Sequence, residues 1–257
     1  MYIERTNSTN TLLRELIAKG EWQAGEEYLY TGFQTAGRGQ SGNGWESEEG
    51  KNLLCSILLS HQPSEVSGVR PAFDLNVAVS VAVHRMVNSQ FSILNSQLAI
   101  KWPNDIYWQD KKIAGILVEN ALIGNEVRYS IAGIGLNVNQ TEWLSNAPNP
   151  VSMRQISGEE YDIHELMKAL MNEMHTVVAM KREEIWAYYR THLYRKDGFW
   201  PFVEREVSIA PTMNANKETE GIFLAKIENI RADGEIELRD QEGNLRLYHF
   251  KEVRYVL

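Results

Sequence analysis

One cysteine in 257 residues, Cys55, excludes an internal disulfide. Its place in the apolar run from Asn52 to Ser60 reads as a buried, inert thiol rather than a nucleophile. Histidine is scarce as well: the six residues are scattered and none shows zinc-ligand spacing. No serine stands in a G-x-S-x-G setting, so no nucleophile elbow is present. No apolar run reaches the roughly 18 residues a membrane helix needs. The start, Met1 to Arg5, lacks the charged-then-apolar order of a secretory leader, so a cytoplasmic location is expected. Excess positive charge is missing too. Lys and Arg total 26 against 34 for Asp and Glu, a net charge of −8, which argues against a nucleic-acid partner.

Dense chemistry is concentrated at Lys101-Trp102-Pro103-Asn104-Asp105 and the residues that follow, to Leu117. Leu98 to Ile100 reads as a buried strand that must end at Pro103, which has no N–H to donate. Ile106 to Trp108 and Ile113 to Glu119 read as two further strands, joined by the polar turn Gln109 to Lys112. Two lysines therefore stand at strand ends near one carboxylate and one amide. Such a group suits a phosphate, a magnesium ion and a carboxylate held together. It suits a polar hairpin with solvated lysines equally well.

Elsewhere the pattern is mostly structural. Ser8-Thr9-Asn10 precedes apolar residues at helical spacing, so Ser8 or Thr9 is a candidate N-cap. Gly37, Gly39 and Gly42 spell G-x-G-x-x-G after a strand from Tyr28 to Phe33, but no helix opens at the last glycine, and the dinucleotide reading fails. The glycine-rich loop, to Gly50, is either solvated or a lid that closes on an anion. Pro71 to Asn88 reads as a central helix, and Val127 to Ile134 as a strand ending in Gly133-Ile134-Gly135, a bulge or a place of close approach. Helices are expected over Asp162 to Met180 and Glu183 to Leu193, with Trp186, Tyr188, Tyr189 and Tyr194 as core. From Glu206 short alternating strands appear at Val207 to Ile209, Ile222 to Ile227, Ile236 to Leu238 and Leu245 to Phe250. The expected division is a large unit over 1–203 and a small β-barrel over 204–257.

Lys101 to Asp105, with Lys112 to Leu117 behind it, resembles the signature of the biotin–protein ligases. Gly37 to Trp45 resembles their adenylate-binding loop, Gly133 to Asn139 their glycine-rich strand end, and Ser8 to Asn10 a weaker fourth element. The resemblance implies an α+β fold: a mixed β-sheet flanked by helices, like a class II aminoacyl-tRNA synthetase catalytic domain, with an SH3-like C-terminal barrel. It implies the monofunctional type, without a DNA-binding domain. The implied activity is ATP- and Mg2+-dependent conversion of biotin to biotinyl-adenylate, then transfer to a lysine of a biotin carboxyl carrier domain.

Carried over residue by residue, Arg38, Lys101, Asp105 and Lys112 are the catalytic group, with Asp105 also the magnesium ligand. Ser8, Thr9, Gln34, Gly37, Arg38, Lys112, Gly115 and Gly133 would meet biotin. Arg38, Gly39, Gln40, Trp45, Asn104 and Asn137 would meet the nucleotide. Gln40 and Asn43 stand where relatives most often place basic residues, which leaves Arg38 as the loop's one cation. Two rivals remain: a lipoate–protein ligase of the same fold, and a non-catalytic regulator that binds biotinyl-adenylate.

Overall fold

The computed structural model describes residues 1–39, 43–60, 72–91, 97–123, 126–145, 147–204 and 221–257. Its frame is a seven-stranded sheet in the order β1-β2-β3-β7-β6-β5-β4. The strands are β1 (Tyr2–Thr6), β2 (Tyr28–Gln34), β3 (Leu53–Ser60), β4 (Leu98–Lys101), β5 (Asp105–Trp108), β6 (Lys111–Ile123) and β7 (Glu126–Leu136). Only the β1–β2 pair is parallel among them.

Alternation along the central strands sorts side chains to two faces. Leu53, Cys55 and Ile57 of β3, Ala114 and Ile116 of β6, and Ala132 and Ile134 of β7 join the main core. That face is covered by α2 (Ala72–Gln90), which packs on α4 (Ile163–Ala179) and α5 (Arg182–Thr191). The apolar run predicted from Pro71 is thus central, as its lack of a polar face requires. The opposite face carries Gly115, Leu117, Gly133 and Gly135, where α1 (Thr9–Lys19) covers only part of the sheet. Glycine at those positions leaves open room above the strands.

A second, fully antiparallel sheet has the order β11-β10-β9-β8-β12. It comprises β8 (Trp200–Glu204), β9 (Ile222–Ile230), β10 (Ile236–Asp240), β11 (Leu245–Tyr248) and β12 (Val253–Tyr255). It begins at Trp200, a few residues before the expected division. The strand expected at Val207 to Ile209 lies outside the described residues. Strands β1, β8 and β12 and the short helix α3 (Met153–Ser157) were not anticipated: β1 is mostly exposed and shows no apolar alternation, β8 carries Pro201, and β12 and α3 are too short to show a period. Trp186, Tyr189 and Tyr194 are buried as expected, whereas Tyr188 is only partly buried against the same core. Among the described residues no helix is long and apolar enough to cross a membrane.

The two sheets are fastened through the lysine-bearing hairpin. Trp102 Nε1 donates to the carbonyl of Gly234 at 2.9 Å, and its ring meets Phe250 edge-on at 6.0 Å. Arg195 donates to the carbonyl of Val256 at 2.7 Å.

Candidate functional site

A cavity opens above the glycine-bearing face, with about 1080 Å³ of empty space including its mouth. Its floor is β6 and β7. A Cβ at Gly135 would collide with the Trp45 indole, and one at Gly115 would lie 2.8 Å from the same ring and 3.1 Å from Lys112 Nζ. At Gly133 an added Cβ would strike the amide of Asn10. These glycines therefore mark close approach of side chains to the backbone, which settles the choice left open for Gly133 and Gly135.

One wall is the β4–β5 hairpin. The register pairs Lys101 with Asp105, and Lys112 enters beside them from the start of β6. Lys112 Nζ lies 2.8 Å from Asp105 Oδ1 and 5.6 Å from the centre of the Trp45 ring. Backbone pairing with Asn149 and Val151 fixes the Lys112 main chain. Lys101 Nζ donates to Tyr107 Oη at 3.0 Å and lies 4.4 and 5.2 Å from the Tyr107 and Tyr255 ring centres. Burial, with Lys112 and Arg195 nearby, pulls the Lys101 ammonium down to about 8, and Asp105 only partly opposes it. Asn104 is buried and donates to Asn76 Oδ1 at 3.0 Å and to the carbonyl of Ile116 at 3.1 Å, which ties the hairpin to α2 and β6.

The other wall is the first turn of α1 and the loop after β2. Ser8 occupies the N-cap position, but its hydroxyl makes no capping bond; the Asn7 side chain accepts from the Ser8 N–H instead. Thr9 points to Gln34, whose Oε1 accepts from the Thr9 N–H at 2.8 Å and from its hydroxyl at 3.1 Å. At the base of the glycine-rich loop its two arms pair: Gly39 N–H donates to the Asn43 carbonyl and Trp45 N–H to that of Gly37. Arg38, on the first of these arms, donates to Thr11 Oγ1 at 3.1 Å. Gln40 lies outside the described residues, as does the tip of the expected lid.

Of the predicted residues, Ser8, Thr9, Gln34, Arg38, Gly39, Trp45, Lys101, Asn104, Asp105, Lys112, Gly115 and Gly133 line this one cavity. Gly37 and Asn137 do not. A Cβ at Gly37 would lie 2.7 Å from the Trp45 carbonyl oxygen. Asn137 is buried behind the floor, where its amide donates to the carbonyls of Val151 at 3.1 Å and Lys112 at 3.4 Å. Asp105 is the one carboxylate among the described lining residues, and no cluster of three or more metal-ligating side chains occurs among the described residues. This donor set fits a magnesium ion held mostly by a nucleotide's own phosphates, not a protein cage. Cys55 also reaches the cavity, but burial raises its thiol to about 12. The sequence reading missed Phe250, Val253, Arg254 and Tyr255, which close the cavity from the second sheet. No local signal marks them, because their place depends on how the two sheets dock.

A family model described as the biotin/lipoate A/B protein ligase family matches residues 2–137. The chain is 31% identical over 223 residues to the bifunctional ligase/repressor BirA of Bacillus spizizenii, covering 84% of this chain and 62% of that protein. It is 29% identical over 178 residues to the biotin–[acetyl-CoA-carboxylase] ligase of Paracoccus denitrificans, with 65% and 68% covered. It spans 57 to 62% of the length of the first BirA relatives. In fold it is similar to the biotin protein ligase of Aquifex aeolicus solved with biotin and ATP, with a TM-score of 0.72, 22% identity, and 100% and 98% of the two chains covered. With more than half of its length matched by the family model, the chain belongs to the biotin/lipoate A/B protein ligase family.

Proposed function

We propose that the protein is an ATP-dependent biotin–protein ligase. The observation that carries this reading is the convergence of Arg38, Lys101, Asp105 and Lys112 on one glycine-floored cavity. The electrostatic difficulty of adenylation is that a carboxylate must approach a polyphosphate. Fixed cations in a partly dry site lower that barrier. Lys112 and Arg38 stand between the two anions while a biotin carboxylate oxygen attacks the α-phosphorus and the bond to pyrophosphate breaks. Lys101 neutralises the phosphates. Asp105 is the residue to hold Mg2+, which would supply further charge neutralisation there. In the second half-reaction the carrier lysine attacks the acyl carbon and AMP leaves. Asp105 takes the amine's proton.

Ser8, Thr9 and Gln34 meet the polar end of the biotin ring, with Gly115 and Gly133 beneath it and Gly37 behind. Gly39, Gln40, Trp45 and Asn104 border the nucleotide. Asn137 acts on it indirectly, by holding the main chain at Lys112. The preferred carrier is a biotin carboxyl carrier domain, and the ATP requirement agrees with a cytoplasmic location. The net charge of −8 supports the absence of a nucleic-acid partner.

The test is incubation with ATP, Mg2+, either biotin or lipoate, and a biotin carboxyl carrier domain, read by mass. Addition of one biotin to the carrier is expected. Addition of lipoate alone would assign the chain to the other branch of its family, and no addition with tight biotinyl-adenylate binding would favour the regulator.

A further inference from the structure

Both cations assigned to the reacting anions already have a carboxylate beside them. For Lys112 it is Asp105, inside the cavity. For Arg38 it is Glu119, which does not line the cavity. Glu119 stands on β6 two residues beyond Leu117, on the same open face. Its Oε2 accepts from Asn10 Nδ2 at 2.7 Å and lies 2.9 Å from Arg14 Nη2 and 3.5 Å from Arg38 Nη2. One hydrogen-bond donor and two cationic nitrogens share one oxygen. Arg38 is the most distant of them, and its hydrogen bond runs instead to Thr11 on the same helix turn. Asn10 also accepts from Ser56 Oγ and its amide presses on Gly133, so the cluster abuts the cavity floor.

The charges make this arrangement reversible. Arg14 alone neutralises Glu119, so withdrawal of Arg38 leaves no bare carboxylate behind. The geometry points to Glu119 as a positioning residue that docks Arg38 on the first turn of α1 and yields it to the ligand's phosphate, Arg14 remaining as counter-charge. This rests on the adenylating role proposed above. Two consequences have opposite signs. Glu119 competes with the ligand for Arg38, so weakening Glu119 tightens anion binding. Arg14 competes with Arg38 for Glu119, so removing Arg14 strengthens the dock and weakens anion binding.

The experiment measures ATP affinity by calorimetry and stopped-flow release of preformed biotinyl-adenylate from the full chain. Glu119→Gln, which keeps an acceptor for Asn10, is expected to tighten ATP and slow release. Arg14→Ala is expected to do the reverse, each by about two- to five-fold, the range of partly exposed ion pairs. Both effects should vanish in an Arg38→Ala background, which a merely structural role would not produce. Thermal melts of each variant separate folding losses from these shifts. Shifts of one sign for both variants, no shift, or effects that persist without Arg38 overturn the proposal. Failure of the ligase reading is distinguishable: the unsubstituted chain would then form no biotinyl-adenylate.

Discussion

At the residue scale, the two lysines of the site differ in kind. Lys112 is partly exposed and already paired with Asp105, and the work proposed for it is to face the transition state. Lys112→Ala is expected to reduce pyrophosphate release from biotin and ATP by at least ~10²-fold, the order of one lost transition-state contact. Biotin affinity should change only modestly. Equal pyrophosphate rates in variant and parent would remove Lys112 from the mechanism. Lys101 is buried, and its pKa of about 8 lies below the ordinary 10.5. The unfolded chain therefore binds more protons between those values, and stability rises with pH across that window. The proposed ligase reaction has the opposite slope: kcat/KM for ATP is expected to fall as pH rises through about 8 and the charge proposed to face the phosphates is lost. Lys101→Arg should remove that limb of the pH profile; a limb unchanged in the variant would assign it to another group.

At the element scale, α2 is the hub, and its polar residues make specific ties to α5. Asp74 is buried near the start of α2 and accepts from Arg182 Nε at 2.7 Å, Arg182 Nη2 at 2.9 Å and Trp186 Nε1 at 2.8 Å. Asp74→Ala orphans that buried indole donor and frees a half-exposed arginine. It should cost about 2–3 kcal/mol in urea unfolding, less than a fully buried pair because Arg182 regains water. Further along α2, His84 Nε2 donates to the carbonyl of Leu98 while Nδ1 accepts from Tyr188 Oη. Burial lowers its pKa to about 4 from 6.5. The folded state thus binds fewer protons than the unfolded chain between those values. Stability is full above about pH 6.5 and is lost as pH falls toward 4, by roughly 3 kcal/mol at 1.36 kcal/mol per unit. A His84→Gln variant should lose stability less steeply over that range; parallel curves would show that other groups set the slope.

At the scale of the whole molecule, the cavity exists because two sheets meet at Trp102. Its indole bonds to the turn between β9 and β10, and the adjoining Lys101 packs against Tyr255 of β12. Trp102→Phe keeps an aromatic ring against Phe250 but leaves the Gly234 carbonyl without its donor. A cost of about 1–2 kcal/mol is expected, with KM for ATP rising more than KM for biotin, since the polar contacts proposed for the biotin ring lie on the α1 side. Equal effects on both would argue that the second sheet does not shape the nucleotide side.

Much of this was legible in the chain itself. Apolar periodicity is local, so β2, β3, the β4–β5–β6 meander, α2, α4 and α5 could be read directly, as could the cations and glycines in their short motifs. Side-chain alternation even places Gly115 and Gly133 on one face once strands are assumed. Other features came only with the tertiary structure. Glu119 becomes the partner of Arg38 because β6 and β7 lie in one particular register beneath α1. Asn137 turns behind the floor, and Phe250, Val253, Arg254 and Tyr255 reach the cavity only through the docking of the second sheet. A short motif specifies which chemical groups are available. Which of them share a cavity depends on contacts between residues more than a hundred positions apart, and those are decided by packing rather than by any local pattern.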